Sequence, residues 1–440
     1  MSSDAPAGGA AAEPPADPFA ALRAKGYPLL LVLAGGLGVV LSAAAYGFLQ
    51  AVAQLQKALY TDLPQGLGFH GAPPWWPLPL LGLGGLLVAL TVQYLPGNGG
   101  HQPAEGLKTG GFASAADIPG ILLAALASLG FGAVIGPEAP LIALGGGLAA
   151  YAVRLIRPGI DAKALAVVAA AGSFAAISAL LGSPLIGAFL LMEASGLGGA
   201  TLGIVLLPGL LAAGLGDLVF IGLGSWTGLG TASLTIPSLP GTRHPDAAQL
   251  AWALAIGVAA AFAGTWLHRL ALFAQPRVNR RRLLLTPLAG LVVAGLAIAY
   301  AEGVGRPSSD VLFSGQSELP QLLVHQADYS VGALALLLTC KWLAYAVSLA
   351  SFRGGPIFPA LFLGATGGIL LSHLPGLPVI AGAAMGMGAM SVALLKLPMT
   401  SVLLATLLLG SDGVTVMPLV IVAVVVCHVT TSRLTPPPAA

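Results

Sequence analysis

Gly136-Pro-Glu-Ala-Pro-Leu-Ile-Ala-Leu-Gly145 sets one carboxylate, Glu138, between two prolines at the start of an apolar run. Gly355-Pro-Ile-Phe-Pro-Ala-Leu-Phe-Leu-Gly364 repeats the pattern 219 residues later without the acid. Proline suits the first turn of a helix, where its missing N–H is no loss. Such an end, led in by glycine, points its unpaired backbone N–H groups outward and favours an anion. Two of these ends in related stretches predict one shared anion site, and Glu138 is placed to compete for it. The other reading of Glu138 is an exposed acid that merely stabilises a helix start.

Composition places this pattern in a membrane. Hydrophobic residues make up 57% of 440 and charged residues 8%, with a mean hydropathy of +0.91. A soluble domain carries about a quarter charged residues. Stretches such as 28–56, 249–273 and 283–302 are long enough to cross a bilayer of about 30 Å, so the chain reads as an integral membrane protein in contact with lipid. A net charge of +2 gives no reason to expect a nucleic-acid partner. Cys340 and Cys427 lie in apolar runs and read as small buried residues. His70, His101, His244 and His325 are scattered without metal-ligand spacing. No P-loop, H-E-x-x-H or G-x-S-x-G pattern occurs, so neither an enzyme nor a cofactor is expected.

Residues 1–25 are rich in Ala, Pro and Gly and read as a disordered tail, and 435–440 as a short Pro-rich one. Arg23 and Lys25 beside the first span, and the cluster Arg277, Arg280, Arg281 and Arg282, mark the cytoplasmic side. A single transmembrane domain is expected over 26–434. Within it Ala179-Leu-Leu-Gly-Ser-Pro184 echoes Ala393-Leu-Leu-Lys-Leu-Pro398, at an offset of 214 residues. Two homologous halves follow, about 28–222 and 249–432. Many apolar pieces fall short of the ~20 residues of a full span. Interrupted helices at matching places in two halves point to a binding site near the membrane midplane.

With these residues in place, the chain resembles the CLC family of chloride channels and chloride/proton antiporters. Gly97-Asn-Gly99, Gly136-Pro-Glu-Ala-Pro140, Gly354-Gly-Pro-Ile-Phe-Pro359 and the stretches around Ser183-Pro184 and Gly386–Pro398 carry the resemblance, in the family's order. It covers about residues 30–432. The resemblance implies an all-α membrane fold of two inverted-topology halves with many tilted, short and discontinuous helices. It also implies a homodimer with one pathway per subunit. Glu138 then corresponds to the gating glutamate. Asn98, Gly99, Gly136, Ala139, Gly355, Ile357 and Phe358 correspond to the anion-binding loops.

The residues also depart from the family. Asn98 stands where a serine is more usual; its amide N–H2 can donate to an anion, though Asn-Gly is equally a favoured turn pair. Pro137 and Pro356 cannot donate, so the donors must be neighbouring amides. Proton-coupled members commonly carry an inner glutamate as the second acid of a pair; here the pair reads Glu193-Ala194. That leaves Glu193, about 100° round the helix, either as a displaced proton relay or as a structural acid. The family's C-terminal tyrosine has no counterpart, the last tyrosine being Tyr345.

The expectation is therefore transport of a small inorganic anion, chloride by default with nitrate or fluoride open. It leans towards passive conduction, with proton-coupled exchange as the alternative, in a bacterial cytoplasmic membrane. A transporter of another small solute and an inactive membrane scaffold are the competing classes. Lys341 reads as a helix tether or a snorkelling side chain. Arg353 reads either as an anion-attracting residue at a vestibule or as a surface residue at a span boundary. Asp217 and Asp412 read as turn residues.

Overall fold

Proline and glycine set most of the helix boundaries. The structure, a computed structural model, describes residues 23, 25–106, 112–195, 199–229 and 245–435, and these are helical with no strand. The tails expected at 1–25 and 435–440 lie outside the described residues except for Arg23, Lys25 and Thr435, and so does His244.

The helices of the first half are α1 (Tyr27–Gly66), α2 (Pro77–Tyr94), α3 (Ile118–Gly130), α4 (Glu138–Ile156), α5 (Ala162–Leu181), α6 (Pro184–Ser195) and α7 (Gly199–Thr227). Those of the second are α8 (Ala247–Arg280), α9 (Arg282–Val304), α10 (Glu318–Val324), α11 (Val331–Ser351), α12 (Ile357–Leu371), α13 (Val379–Leu395), α14 (Pro398–Leu408) and α15 (Gly410–Leu434). Among the described residues, α1, α2, α4, α5, α7, α8, α9, α11 and α15 are long and apolar enough to cross a membrane. At 1.5 Å per residue the apolar helices α3, α6, α12, α13 and α14 are too short to span it. This is the all-α, interrupted-helix membrane fold that the sequence predicts.

The two halves repeat each other in detail. Gly145 of α4 faces Gly172 of α5 so closely that a Cβ on either would collide with the other's carbonyl. Gly364 of α12 and Gly386 of α13 meet in the same way. Small residues at such crossings let backbones touch where lipid offers no hydrophobic drive to pack. In the echoed segments, Gly182 and Lys396 occupy equivalent positions and share a left-handed φ of 60°. The core lies at α12 and α13, whose side chains are buried on nearly every face. Such helices read as apolar all round because they have no lipid or water face to present.

Two expectations need correcting, and a third is narrowed to one of its two readings. Asp217 sits inside α7, and Asp412 falls in the first turn of α15. Gly216, beside Asp217, is there for packing: a Cβ would collide with Ser42 Oγ on α1. At Asp412 the break is made by Gly410, with φ 58°, and the acid follows it where it complements the helix dipole. Lys341 does not snorkel. It is wholly buried, donates from Nζ to the carbonyls of Asp310 at 2.9 Å and Leu312 at 3.0 Å, and stands 4.2 Å from the Phe362 ring centroid. Its place as a tether holds. Cys340 and Cys427 are buried and unpaired.

Candidate functional site

The loops leading into α4 and α12 meet at the centre of the molecule. Gly136 N–H donates to the Gly355 carbonyl at 2.7 Å, and Gly355 N–H returns a bond to the Gly136 carbonyl at 2.5 Å. The two strands of chain run antiparallel at this bridge, as an inverted repeat requires. Two residues upstream of each glycine the arrangement is again reciprocal. Val134 N–H donates to Ser348 Oγ on α11 at 3.1 Å, and Arg353 N–H donates to Ser128 Oγ on α3 at 3.0 Å. Each half thus supplies a serine acceptor for the other's loop. Buried amides need such partners, since leaving one unmade costs about 1–3 kcal/mol.

Beyond the bridge, Pro137 and Pro356 act as N-caps, and the helices begin at Glu138 and Ile357. Glu138 is fully buried, and its Oε1 accepts the Phe358 backbone N–H at 3.0 Å. The N–H groups of Ile357 and of Glu138 itself also face the carboxylate. Oε2 meets no hydrogen-bond donor among the described residues. A Cβ on Gly136 or Gly355 would collide with Glu138 carboxylate oxygens, so glycine at both positions makes room for the group. The Glu138 carboxyl therefore sits on the N-terminus of α12, where the helix offers about half a positive charge. An orphan oxygen beside it is costly for a buried charge and gives a proton a place to bind.

A cavity of about 350 Å³ adjoins this point, lined by residues including Gly99, His101, Asp117, Ala139, Arg353 and Gly354. It touches the Gly97–Gly100 loop and the loops of both halves. Asn98 has a left-handed φ of 49°, as a turn residue does, and its side chain is exposed while Gly97, Gly99 and Gly100 line the cavity. The Asn98 carbonyl accepts from Arg353 Nε at 3.4 Å. Arg353 is only 4% exposed, so it is no surface residue; it lines this cavity instead.

Glu193 lies away from these loops. Its carboxylate accepts the N–H groups of Met399 at 2.7 Å and Thr400 at 2.8 Å, with Thr400 Oγ1 at 2.6 Å, and so closes the N-terminus of α14. Reading the sequence misses three contributors to the centre. Tyr345 donates its buried hydroxyl to the Pro356 carbonyl at 2.8 Å, and Ser128 and Ser348 hold the loops. Serine in an apolar helix is the one local signal available, and it does not name its partner. Among the described residues no group of three His, Cys, Asp or Glu side chains could hold a metal.

Comparison with known proteins agrees with this geometry. The family model described as voltage gated chloride channel matches residues 84–432. The chain is 30% identical over 363 residues to the candidate ion-transport protein YfeO of Salmonella newport (strain SL254), covering 81% of this chain and 84% of that one. Against YfeO of Escherichia coli O1:K1 / APEC the identity is again 30%, with 81% and 82% covered. The fold matches the crystal structure of a slow cyanobacterial Cl⁻/H⁺ antiporter with a TM-score of 0.75 at 19% identity, over 92% of this chain and 94% of that one. It matches a CLC-type fluoride/proton antiporter with a TM-score of 0.63 at 18% identity, over 92% and 96%. With its central bridge, buried glutamate and matching family model, this chain belongs to the voltage-gated chloride channel (CLC) family of ion-transport membrane proteins.

Proposed function

We propose that this chain carries small inorganic anions, chloride by default, through the gap between the 136–139 and 355–358 loops, with Glu138 as the gate. The observation that carries the reading is the seat of the Glu138 carboxylate on the Phe358 amide. A tethered anion held by a helix N-terminus marks a place where a free anion can bind. Protonation cancels the charge that docks Glu138 there. The side chain then leaves, and a passing anion takes the amides of Ile357, Phe358 and Ala139 in its place, with Gly99, Gly136 and Gly355 giving it room and Asn98 at the mouth.

In this reading the pathway is passive and channel-like. Ala194 stands where proton-coupled members of the family commonly carry an inner acid, and the neighbouring Glu193 is engaged by the start of α14. A second reading, proton-coupled exchange of chloride or fluoride, is favoured by the two structural neighbours described as antiporters. In it Glu193 would have to release α14 to relay protons. Transport in place of catalysis, one domain over 26–434 with halves at about 28–222 and 249–432, a homodimer, and a bacterial cytoplasmic membrane complete the proposal.

The test is anion efflux from liposomes holding the purified protein, with chloride, nitrate and fluoride compared and internal pH followed together. Anion flux without proton movement supports the passive pathway. Uphill proton movement driven by the anion gradient selects exchange, and no flux of any of the three anions rejects both.

A further inference from the structure

Arg353 occupies, two residues before Gly355, the position that Val134 holds two residues before Gly136. Both side chains are buried, and both backbone amides end on a serine of the opposite half. A valine satisfies the packing at this point of the repeat, so the fold does not itself ask for a charge. The guanidinium is an addition, and burying it is expensive unless something compensates it.

Its protein partners compensate it only in part. Nε donates to the Asn98 carbonyl at 3.4 Å and Nη1 to the Phe352 carbonyl at 3.3 Å, both long bonds. Of the five N–H donors of a guanidinium, that leaves three, and no carboxylate lies within ion-pair distance among the described residues. Glu105 acts on Arg353 from farther away, and Arg282 opposes it. Asp117, on the same cavity wall, has its carboxylate engaged by the N–H and hydroxyl of Ser114. A buried, underpartnered cation thus lines a cavity that also reaches Ala139 and Gly354.

We infer that Arg353 forms a second anion site in this cavity, in series with the Glu138 position, and that it holds planar monovalent oxyanions such as nitrate more tightly than spherical chloride. A guanidinium presents paired, parallel N–H donors that match two oxygens of a planar anion, and a single halide can use that fork less well. The cavity is far larger than a chloride ion, so size does not exclude the oxyanion. Nothing of this kind is available at the Glu138 position, where the donors are single amides. The inference takes its cargo class from the proposed function but does not depend on Glu138 acting as the gate.

The experiment is isothermal titration of the full-length protein in lipid nanodiscs with sodium nitrate and, separately, sodium chloride at constant ionic strength. Wild type should bind nitrate more tightly than chloride. Arg353→Gln should weaken nitrate binding by about tenfold or more and erase the preference, the usual scale for a charge-assisted pair of hydrogen bonds. Ala143→Glu sets a carboxylate on the same cavity wall without touching the contacts of Arg353, and it should reproduce the loss. Unchanged nitrate affinity in a monodisperse Arg353→Gln sample overturns the inference; if that variant does not fold, unchanged affinity in Ala143→Glu does so. Failure of the gating proposal is separately visible, as pH-dependent flux that persists in Glu138→Gln.

Discussion

Glu138 Oε1 and the backbone N–H of Phe358 are 3.0 Å apart, although 220 residues separate them along the chain. An acid at the first position of one half's helix therefore closes the N-terminus of its counterpart in the other half. Charge on the carboxylate strengthens this bond, so under the proposed gating it is the place for pH to act.

Glu138→Gln and Glu138→Ala should each remove the pH dependence of anion flux. In wild type, flux should rise as pH falls, because protonation releases the carboxylate from the α12 N-terminus. In both variants it should stay high and flat. Liposome efflux over a pH series decides; a wild-type profile retained by both variants would show that Glu138 is not the gate.

Gly355→Ala should behave as a partial mimic of those variants. The added Cβ collides with Oε2 and Cδ of Glu138 and comes within 2.9 Å of its Cβ, so the carboxylate must leave and the start of α4 must shift with it. Gly355 has no left-handed φ to lose. Efflux at neutral pH should increase towards the Glu138→Gln level. Tight gating with normal expression would mean that the carboxylate does not occupy the space beside Gly355 when the pathway is closed.

Much of the fold and part of this site are legible in the sequence, for physical reasons. Pro137, Pro356 and Glu138 announce themselves because proline at a helix start and an acid in an apolar context are local signals. The repeat is visible because the same backbone problem is solved twice by the same residues. Arg353 and Tyr345 are less legible, since their meaning comes from Asn98, Ser128 and the Pro356 carbonyl, which packing alone brings to them. Asp217 misleads because glycine before aspartate looks the same whether it makes a turn or lets two helices touch.

Glu193→Ala should lower stability by about 1–2 kcal/mol, the cost of losing a helix cap. Its three acceptor contacts all serve the first turn of α14. The ratio of protons to anions moved should not change. A thermal unfolding midpoint at the wild-type value together with lost proton movement would reverse the assignment and make Glu193 a relay.

Lys396→Gly should stabilise the protein by about 1 kcal/mol, because a lysine held at a left-handed φ of 60° carries a strain that glycine avoids. The equivalent position in the first half is already Gly182. Lys396 is exposed, so no packing is lost. The unfolding midpoint in detergent should rise; a lower one would mean that the lysine side chain makes a contribution larger than the strain.

The paired bonds between Gly136 and Gly355 have a consequence for how the protein is made. The paired bonds at residue 136 cannot form until residue 355 has been synthesised and inserted, so for about half of translation the first half waits in the bilayer with a polar loop and an acid unmatched. Closing so long a stretch of chain is slow, and an unmatched polar backbone in lipid is costly. The nascent first half thus carries an unsatisfied polar centre until α12 arrives, and a chain cut short before α12 would keep it, however well its outer helices had inserted.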